Sequence, residues 1–152
     1  FLNDPSNPDT RWNFFRDIST YGGCAGPMAA ALESTRIIED ENLIENCQVV
    51  GAYLLEKLNE LKDLPLVGDV RGVGLFCGVE FVRDKQTKEP VSEEEMATII
   101  GNVMAENVIV GRTNSSFDGL NTVMNFAPSL IITKEQVDTV VAAVRKSIEK
   151  GI

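Results

Sequence analysis

The chain has 152 residues, of which 43% are hydrophobic and 24% are charged, a composition typical of one globular domain. Its net charge of −9 argues against nucleic acid or an anionic membrane as partner, and no apolar run approaches the roughly 20 residues of a membrane span. The absence of histidine excludes Ser/His/Asp and Cys/His catalysis and removes the commonest metal ligand, so no metal site is predicted. Three cysteines without a CxxC pair indicate a reduced, cytoplasmic compartment.

Two consecutive helices are predicted in the first part of the chain. Pro27 stands where a helix takes its first turn, and good helix formers continue to Asp40. After Asn42, which is predicted to cap the second helix, apolar residues recur at intervals of three and four. This helix should end by Leu64, because a proline follows. Its buried stripe is predicted to comprise Leu43, Cys47, Val50, Leu54, Leu58 and Leu61.

The remaining pattern predicts strand, strand, helix, strand, strand and helix. Residues 67–71 and 75–82 read as strands around a glycine bend at 72–74, and residues 83–90 as a loop. Capping boxes, Ser92 with Glu95 and Thr133 with Gln136, open the two helices, and Asn107 should end the first of them. The other two strands are predicted at 108–111 and 122–127. The predicted fold class is α+β, with helices on one face of a small, mostly antiparallel sheet.

Few residues stand out as candidates for chemistry. The three glutamates at 93–95 would complement a helix dipole, and all seven lysines lie on polar helix faces or in loops, unlike a Schiff-base lysine. The turn Ser19-Thr20-Tyr21-Gly22-Gly23 could hold a phosphate, or it could be an ordinary loop. Arg112 follows an apolar run and could bind a carboxylate, or it could be a surface arginine at a strand end.

Several segments, in order, resemble class III pyridoxal-phosphate-dependent aminotransferases. Thr20-Tyr21-Gly22-Gly23 before an alanine-rich helix resembles the family's T-[YF]-x-G turn. Residues 67–75 resemble its G-D-V-R-G-x-G-L block, residues 80–82 its E-[LF]-V ending, and residues 127–133 its A-P-x-L-I-x-T run. Residues 16–20 and 111–117 are similar to the branch that transfers amino groups from omega-amino acids, amines or taurine to pyruvate. Cys24 and Ile18-Ser19 depart from the histidines that many relatives carry nearby.

The resemblance implies the C-terminal part of a fold-type-I homodimer. Residues 1–41 would be the end of the large cofactor-binding domain, and residues 42–152 the small domain with its long connecting helix. Thr20, with Ser19 beside it, would contact the phosphate of pyridoxal 5'-phosphate from the neighbouring subunit. Arg112 would bind the acidic group of a small-molecule substrate, either amine donor or keto acid.

The chain is further expected to be a fragment, because it begins with Phe1 and a turn-rich stretch. The resemblance places the cofactor lysine upstream, so the fragment alone is expected to be inactive and to lack cofactor. The alternative reading is a small α+β ligand-binding or regulatory module without catalysis. The upstream sequence would distinguish the two readings.

Overall fold

A computed structural model describes Asp4 and residues 6–8, 20–114 and 121–151. The chain divides into two compact units, residues 1–37 and 38–152. A turn at residues 20–23 precedes the helix α1 (Ala25–Asp40), which begins in the first unit, ends in the second and has no buried residue. The assignment of residues 1–41 to the end of a larger domain stays a prediction. Among the described residues, no helix combines the length and the apolar character needed to cross a membrane.

The second unit is built around one antiparallel sheet. Its main strands run in the order β1-β2-β5-β4, and β3 pairs with β2 away from that path. The predicted α+β class is therefore confirmed. The strands are β1 (Val67–Val73), β2 (Phe76–Asp84), β3 (Glu89–Pro90), β4 (Gly111–Arg112) and β5 (Val123–Phe126).

The register of the sheet separates a buried face from an open one. Val79 in β2 lies opposite Val70 in β1 and Met124 in β5, and all three side chains are buried in the hydrophobic core. Side chains alternate between the faces of a sheet. Val73 and Phe76, which pair at the end of the β1–β2 hairpin, remain 86% and 70% exposed on the other face.

Three helices supply most of the rest of the core. They are α2 (Leu43–Asn59), extended by a short 3₁₀ turn (Glu60–Asp63), α3 (Glu93–Ala105) and α4 (Lys134–Glu149). The predicted stripe of α2 is confirmed: its members are buried, apart from Cys47, which is half-buried. Leu64 is extended, at φ −75° and ψ 140°, as expected for a residue before proline. The other two helices also turn apolar side chains towards the core, with Ile100 and Val140 half-buried.

The predicted helix starts and stop are confirmed at three points. Ser92 and Glu95 form a reciprocal capping box, and Thr133 and Gln136 form another. Asn107 adopts a left-handed conformation, with φ 61°, two residues after α3 ends. Short polar side chains can therefore satisfy helix ends in a way that the sequence alone reveals.

Other local predictions were wrong. Asn42 precedes α2 in the left-handed region, with φ 53°, and its side chain accepts no capping hydrogen bond. The strand predicted at 108–111 begins only at Gly111, because the short β5 offers partners to Gly111 and Arg112 alone. Glu89 and Pro90, predicted as loop, pair with the end of β2. The two differences in the strands depend on which distant backbone lies alongside.

The glycine bend between β1 and β2 brings the sheet close to α2. Gly74 has φ 56°, a conformation that favours glycine. A Cβ atom on Gly51 of α2 would lie 2.6 Å from the Gly74 Cα atom, so both positions have room only for hydrogen. A turn between the two strands is therefore confirmed, but it comprises residues 74–75 only, since Gly72 and Val73 are still paired in β1.

Candidate functional site

Thr20 opens an exposed turn directly before a helix. The backbone N–H of Cys24 donates to the Tyr21 carbonyl oxygen at 3.2 Å, and Gly23 has φ 79°, so the chain reverses over residues 20–23. The helix α1 begins at Ala25, and its first backbone N–H groups have no helical acceptors. Ser19, the other predicted phosphate contact, lies outside the described residues.

This turn has the donors that a phosphate needs. A threonine hydroxyl donates one hydrogen bond, and the N–H groups at a helix start add donors and a favourable dipole. The Thr20 side chain belongs to an exposed residue, so a ligand can reach it. The residues present therefore fit the phosphate end of a cofactor.

Arg112 lies at the edge strand of the sheet. It is the second residue of β4 and lies opposite Met124 of β5. Its side chain is 36% exposed, and its Nη1 group donates to the Oε2 atom of Glu93 at 3.2 Å. Glu93 is the first residue of α3, so the guanidinium is held between a strand edge and a helix start.

Glu93 also contacts Asn121, which lies nine positions after Arg112. Its Oε1 atom accepts from the Asn121 Nδ2 group at 2.9 Å, and Asn121 is buried. Beside this contact, the Thr113 N–H donates to the Val123 carbonyl oxygen at 2.9 Å. Residues 115–120 lie outside the described part of the chain. The described residues on either side of them are thus joined through the Glu93 carboxylate and through hydrogen bonds between Thr113 and Val123.

The three glutamates predicted to share a dipole role differ from one another. Glu95 completes the capping box and accepts from Arg83 at 2.8 to 3.0 Å, and these contacts, with that of Arg83 the largest, lower the pKa of its carboxyl group. Glu93 binds Arg112 and Asn121. Glu94 is exposed, and within the described residues its carboxylate makes no hydrogen bond or ion pair.

Other charged side chains, such as those of Arg71 and Lys57, make ordinary structural contacts. Arg71 on the open face of the sheet forms ion pairs with Asp69, at 3.0 Å, and with Glu80. All seven lysines are described: Lys57 is half-buried and the others are exposed. A hydrogen bond to Glu60 raises the pKa of Lys57, the opposite of what a Schiff-base lysine requires. In the described segments, no three Cys, Asp or Glu side chains converge as a metal site would need.

Thr20 belongs to the first unit and Arg112 to the second. Glu93 and Asn121 were not predicted as neighbours of Arg112. They precede and follow it by 19 and 9 positions, and no periodic pattern links the three. The sequence offers no signal for this cluster beyond the presence of an acidic helix start.

Known proteins match this chain along most of its length. The family model described as Aminotransferase class-III matches residues 6–148. A taurine–pyruvate aminotransferase of Bilophila wadsworthia is 45% identical over 148 residues, 97% of this chain and 32% of that protein. A hypotaurine/taurine–pyruvate aminotransferase of Paracoccus denitrificans is 42% identical over 144 residues, 94% of this chain and 31% of that protein.

Solved structures agree with these matches. An aminotransferase from Bacillus anthracis is 39% identical and superimposes with a TM-score of 0.85, covering 93% of this chain and 32% of its own. The chain spans about a third of the length of the curated relatives that it matches. Since the family model covers nearly all of these residues, the chain belongs to the class III aminotransferase family.

Proposed function

We propose that the protein containing this chain is a pyridoxal-phosphate-dependent aminotransferase that moves an amino group from an omega-amino acid, amine or taurine to pyruvate. The observation that carries this proposal is the 45% identity, over 97% of the chain, to a protein named for the taurine–pyruvate reaction. The cofactor supplies the electron sink for such a reaction, and the protein supplies binding and orientation.

Thr20 is proposed to hold the phosphate group. Its hydroxyl would donate to a phosphate oxygen, assisted by the N–H groups at the start of α1 and by Ser19 beside it. The partner in this contact would be the neighbouring subunit of a homodimer. An exposed hydroxyl before a helix start supports this role, because it is open to a group from another chain.

Arg112 is proposed to bind the acidic group of the substrate. Glu93 engages a single Nη1 group, and among the described residues the other N–H groups of Arg112 make no hydrogen bond. A carboxylate or sulfonate could therefore be bound by two parallel N–H groups. Such a contact would orient the keto acid while excluding water from one side of it.

The cofactor lysine is proposed to lie outside these 152 residues. The setting of every lysine supports this, since Lys57 is half-buried and the other six are exposed, unlike a lysine desolvated for Schiff-base chemistry. On this proposal residues 1–41 complete a larger cofactor-binding domain, the isolated chain is inactive, and the full protein is a cytoplasmic homodimer.

The test is an amino-transfer assay with the full-length protein. Taurine, an omega-amino acid and a primary amine without an acid group are each supplied with pyruvate, and the formation of alanine is measured. Alanine formation with at least one donor is expected, and none with any of them would contradict the proposal. A mixture lacking pyruvate controls for other sources of alanine.

Two variants test the residues. Thr20→Ala should weaken binding of pyridoxal phosphate by about 10- to 100-fold, the value of a hydrogen bond to a charged group, whereas Thr20→Ser should retain binding. Arg112→Gln should raise the KM for pyruvate by a similar factor. Cofactor binding is followed by absorbance titration. Unchanged cofactor affinity in Thr20→Ala would remove that residue from the site.

A further inference from the structure

Glu93 contacts two residues that are distant in sequence, Arg112 and Asn121. One carboxylate oxygen accepts from Arg112 and the other from Asn121, at 3.2 and 2.9 Å. Arg112 directly precedes the segment 113–120 and Asn121 directly follows it. We call this arrangement of Glu93, Arg112 and Asn121 the Glu93 bridge.

The position of Glu93 is fixed by the helix to which it belongs. Glu93 directly follows Ser92, the N-cap residue of α3, where the capping box fixes the helix start. Met96, one turn into the same helix, is fully buried in the core. Because the helix start cannot shift without disturbing both, the Glu93 carboxylate has a defined position from which to orient other groups.

The two residues that Glu93 contacts differ in how far they are buried. Asn121 is only 7% exposed, so loss of its acceptor would leave a buried amide with one fewer partner. Arg112 is more exposed and long, and it would sample several rotamers without a fixed acceptor. The Glu93 carboxylate therefore links Arg112 to Asn121 and restricts the rotamers of the guanidinium.

The contact leaves most of the guanidinium available. Glu93 accepts from Nη1 alone, and no described residue bonds the Nε or Nη2 groups. A bound acid needs two parallel N–H groups, which the guanidinium still offers beside the Glu93 contact. Glu93 can therefore stay in place while the acid is bound.

We infer that Glu93 is a positioning residue, which orients Arg112 for the acidic group of the substrate and holds the two ends of segment 113–120 together. The inference rests on the proposed role of Arg112 as the acid-binding residue. It deepens that role by naming what holds the arginine. Glu93 itself does not contact the substrate.

The first experiment compares variants of neighbouring glutamates in the full-length protein. Glu93→Ala should raise the KM for pyruvate by about 5- to 30-fold, the range expected when contacting residues are uncoupled, with kcat changed less than about twofold. Glu94→Ala is the matched control, because it removes the same charge from the same helical turn and should leave KM unchanged. Glu93→Gln, which retains one acceptor oxygen, should give an intermediate KM. It also serves if the alanine variant fails to fold.

The second experiment asks whether the effect passes through Arg112. In an Arg112→Gln background, Glu93→Ala should change the KM for pyruvate by less than about twofold, because the oriented group is already gone. An equal effect in both backgrounds would make Glu93 a purely structural residue and overturn the inference. A lower KM in Glu93→Ala would also overturn it, since the glutamate would then compete with the acid.

The outcomes separate the inference from the proposed function. If Arg112→Gln leaves the KM for pyruvate unchanged, the proposed role of Arg112 fails, and the inference fails with it. If Arg112→Gln raises KM but Glu93→Ala and Glu93→Gln do not, only the inference fails. Binding of propionate, measured by calorimetry, gives a readout without turnover and should weaken in Glu93→Ala by the same factor as pyruvate.

Discussion

The helices α1 and α2 follow each other and have 16 and 17 residues, yet they differ in what their apolar side chains do. In α1 no residue is buried, and Met28 and Leu32 are 53% and 56% exposed. In α2 five residues are buried, among them Leu54 and Leu58, which are 1% and 0% exposed. Both segments were nevertheless predicted as helices from sequence.

The difference shows that two sources of helix stability operate in one chain. The alanine-rich start of α1 favours a helix through intrinsic propensity, which contributes fractions of a kcal/mol per residue. The stripe of α2 gains from burial, at about 25 cal/mol per Å² of apolar surface removed from water. We therefore expect the free energy of unfolding to depend on residues 38–152 far more than on α1.

The sharpest test replaces one leucine in each helix. Leu58→Ala should lower the free energy of unfolding by about 2–5 kcal/mol, because it leaves a cavity in the core. Leu32→Ala should change it by less than about 0.5 kcal/mol, since its side chain is already exposed. Urea denaturation of the 152-residue chain, followed by circular dichroism, measures both. Equal losses would show that α1 contributes to the cooperative core.

A smaller effect is expected from glycines in α2 and α3. Gly51→Ala should cost about 1–3 kcal/mol, because the added methyl group meets the backbone of Gly74. Gly101→Ala is the matched control: it is also helical, it has open space around it, and it should stabilise the chain by up to about 1 kcal/mol. Opposite shifts in the thermal midpoint are therefore expected. A stabilising Gly51→Ala would mean that the helix and the bend can separate at low cost.

The smallest effect concerns how helices begin. In contrast to α1, which has no acidic residue in its first turn, α3 has Glu95 bound to Arg83 and Ser92. Glu95→Gln should lower the free energy of unfolding at pH 7 by up to about 1 kcal/mol, because glutamine can still complete the capping box, as Gln136 does, but loses the ion pair with Arg83. Glu94→Gln is the control, because it makes the same chemical change in the same helical turn at a residue without these contacts.

The effect should also depend on pH with a defined sign. Because the contacts with Arg83 and Ser92 lower the pKa of Glu95 in the folded state, its contribution is present above the ordinary carboxyl pKa of about 4.3. It is lost as the pH falls through the lowered value. The difference between the wild-type and Glu95→Gln chains should therefore shrink below about pH 4. A difference that grows on acidification would contradict this assignment.

Local sequence signals were sufficient for most of the fold. The stripe of α2, the two capping boxes and Pro65 each act within a few residues, through helix geometry and steric limits that any chain obeys. The candidate residues Thr20 and Arg112 were found through the resemblance of whole segments to a family. Their proposed roles remain predictions, since residue types and spacing alone favoured an ordinary loop and a surface arginine.

Other features depended on the tertiary structure, because they join residues that are distant in sequence. The pairing of Glu89 with Asp84 and the late start of β4 depend on which backbone lies alongside. Glu93 meets Arg112 and Asn121 across 19 and 28 positions. A pattern in sequence reports the period of one helix or strand, whereas such contacts arise only when the core has brought α3 against the edge of the sheet.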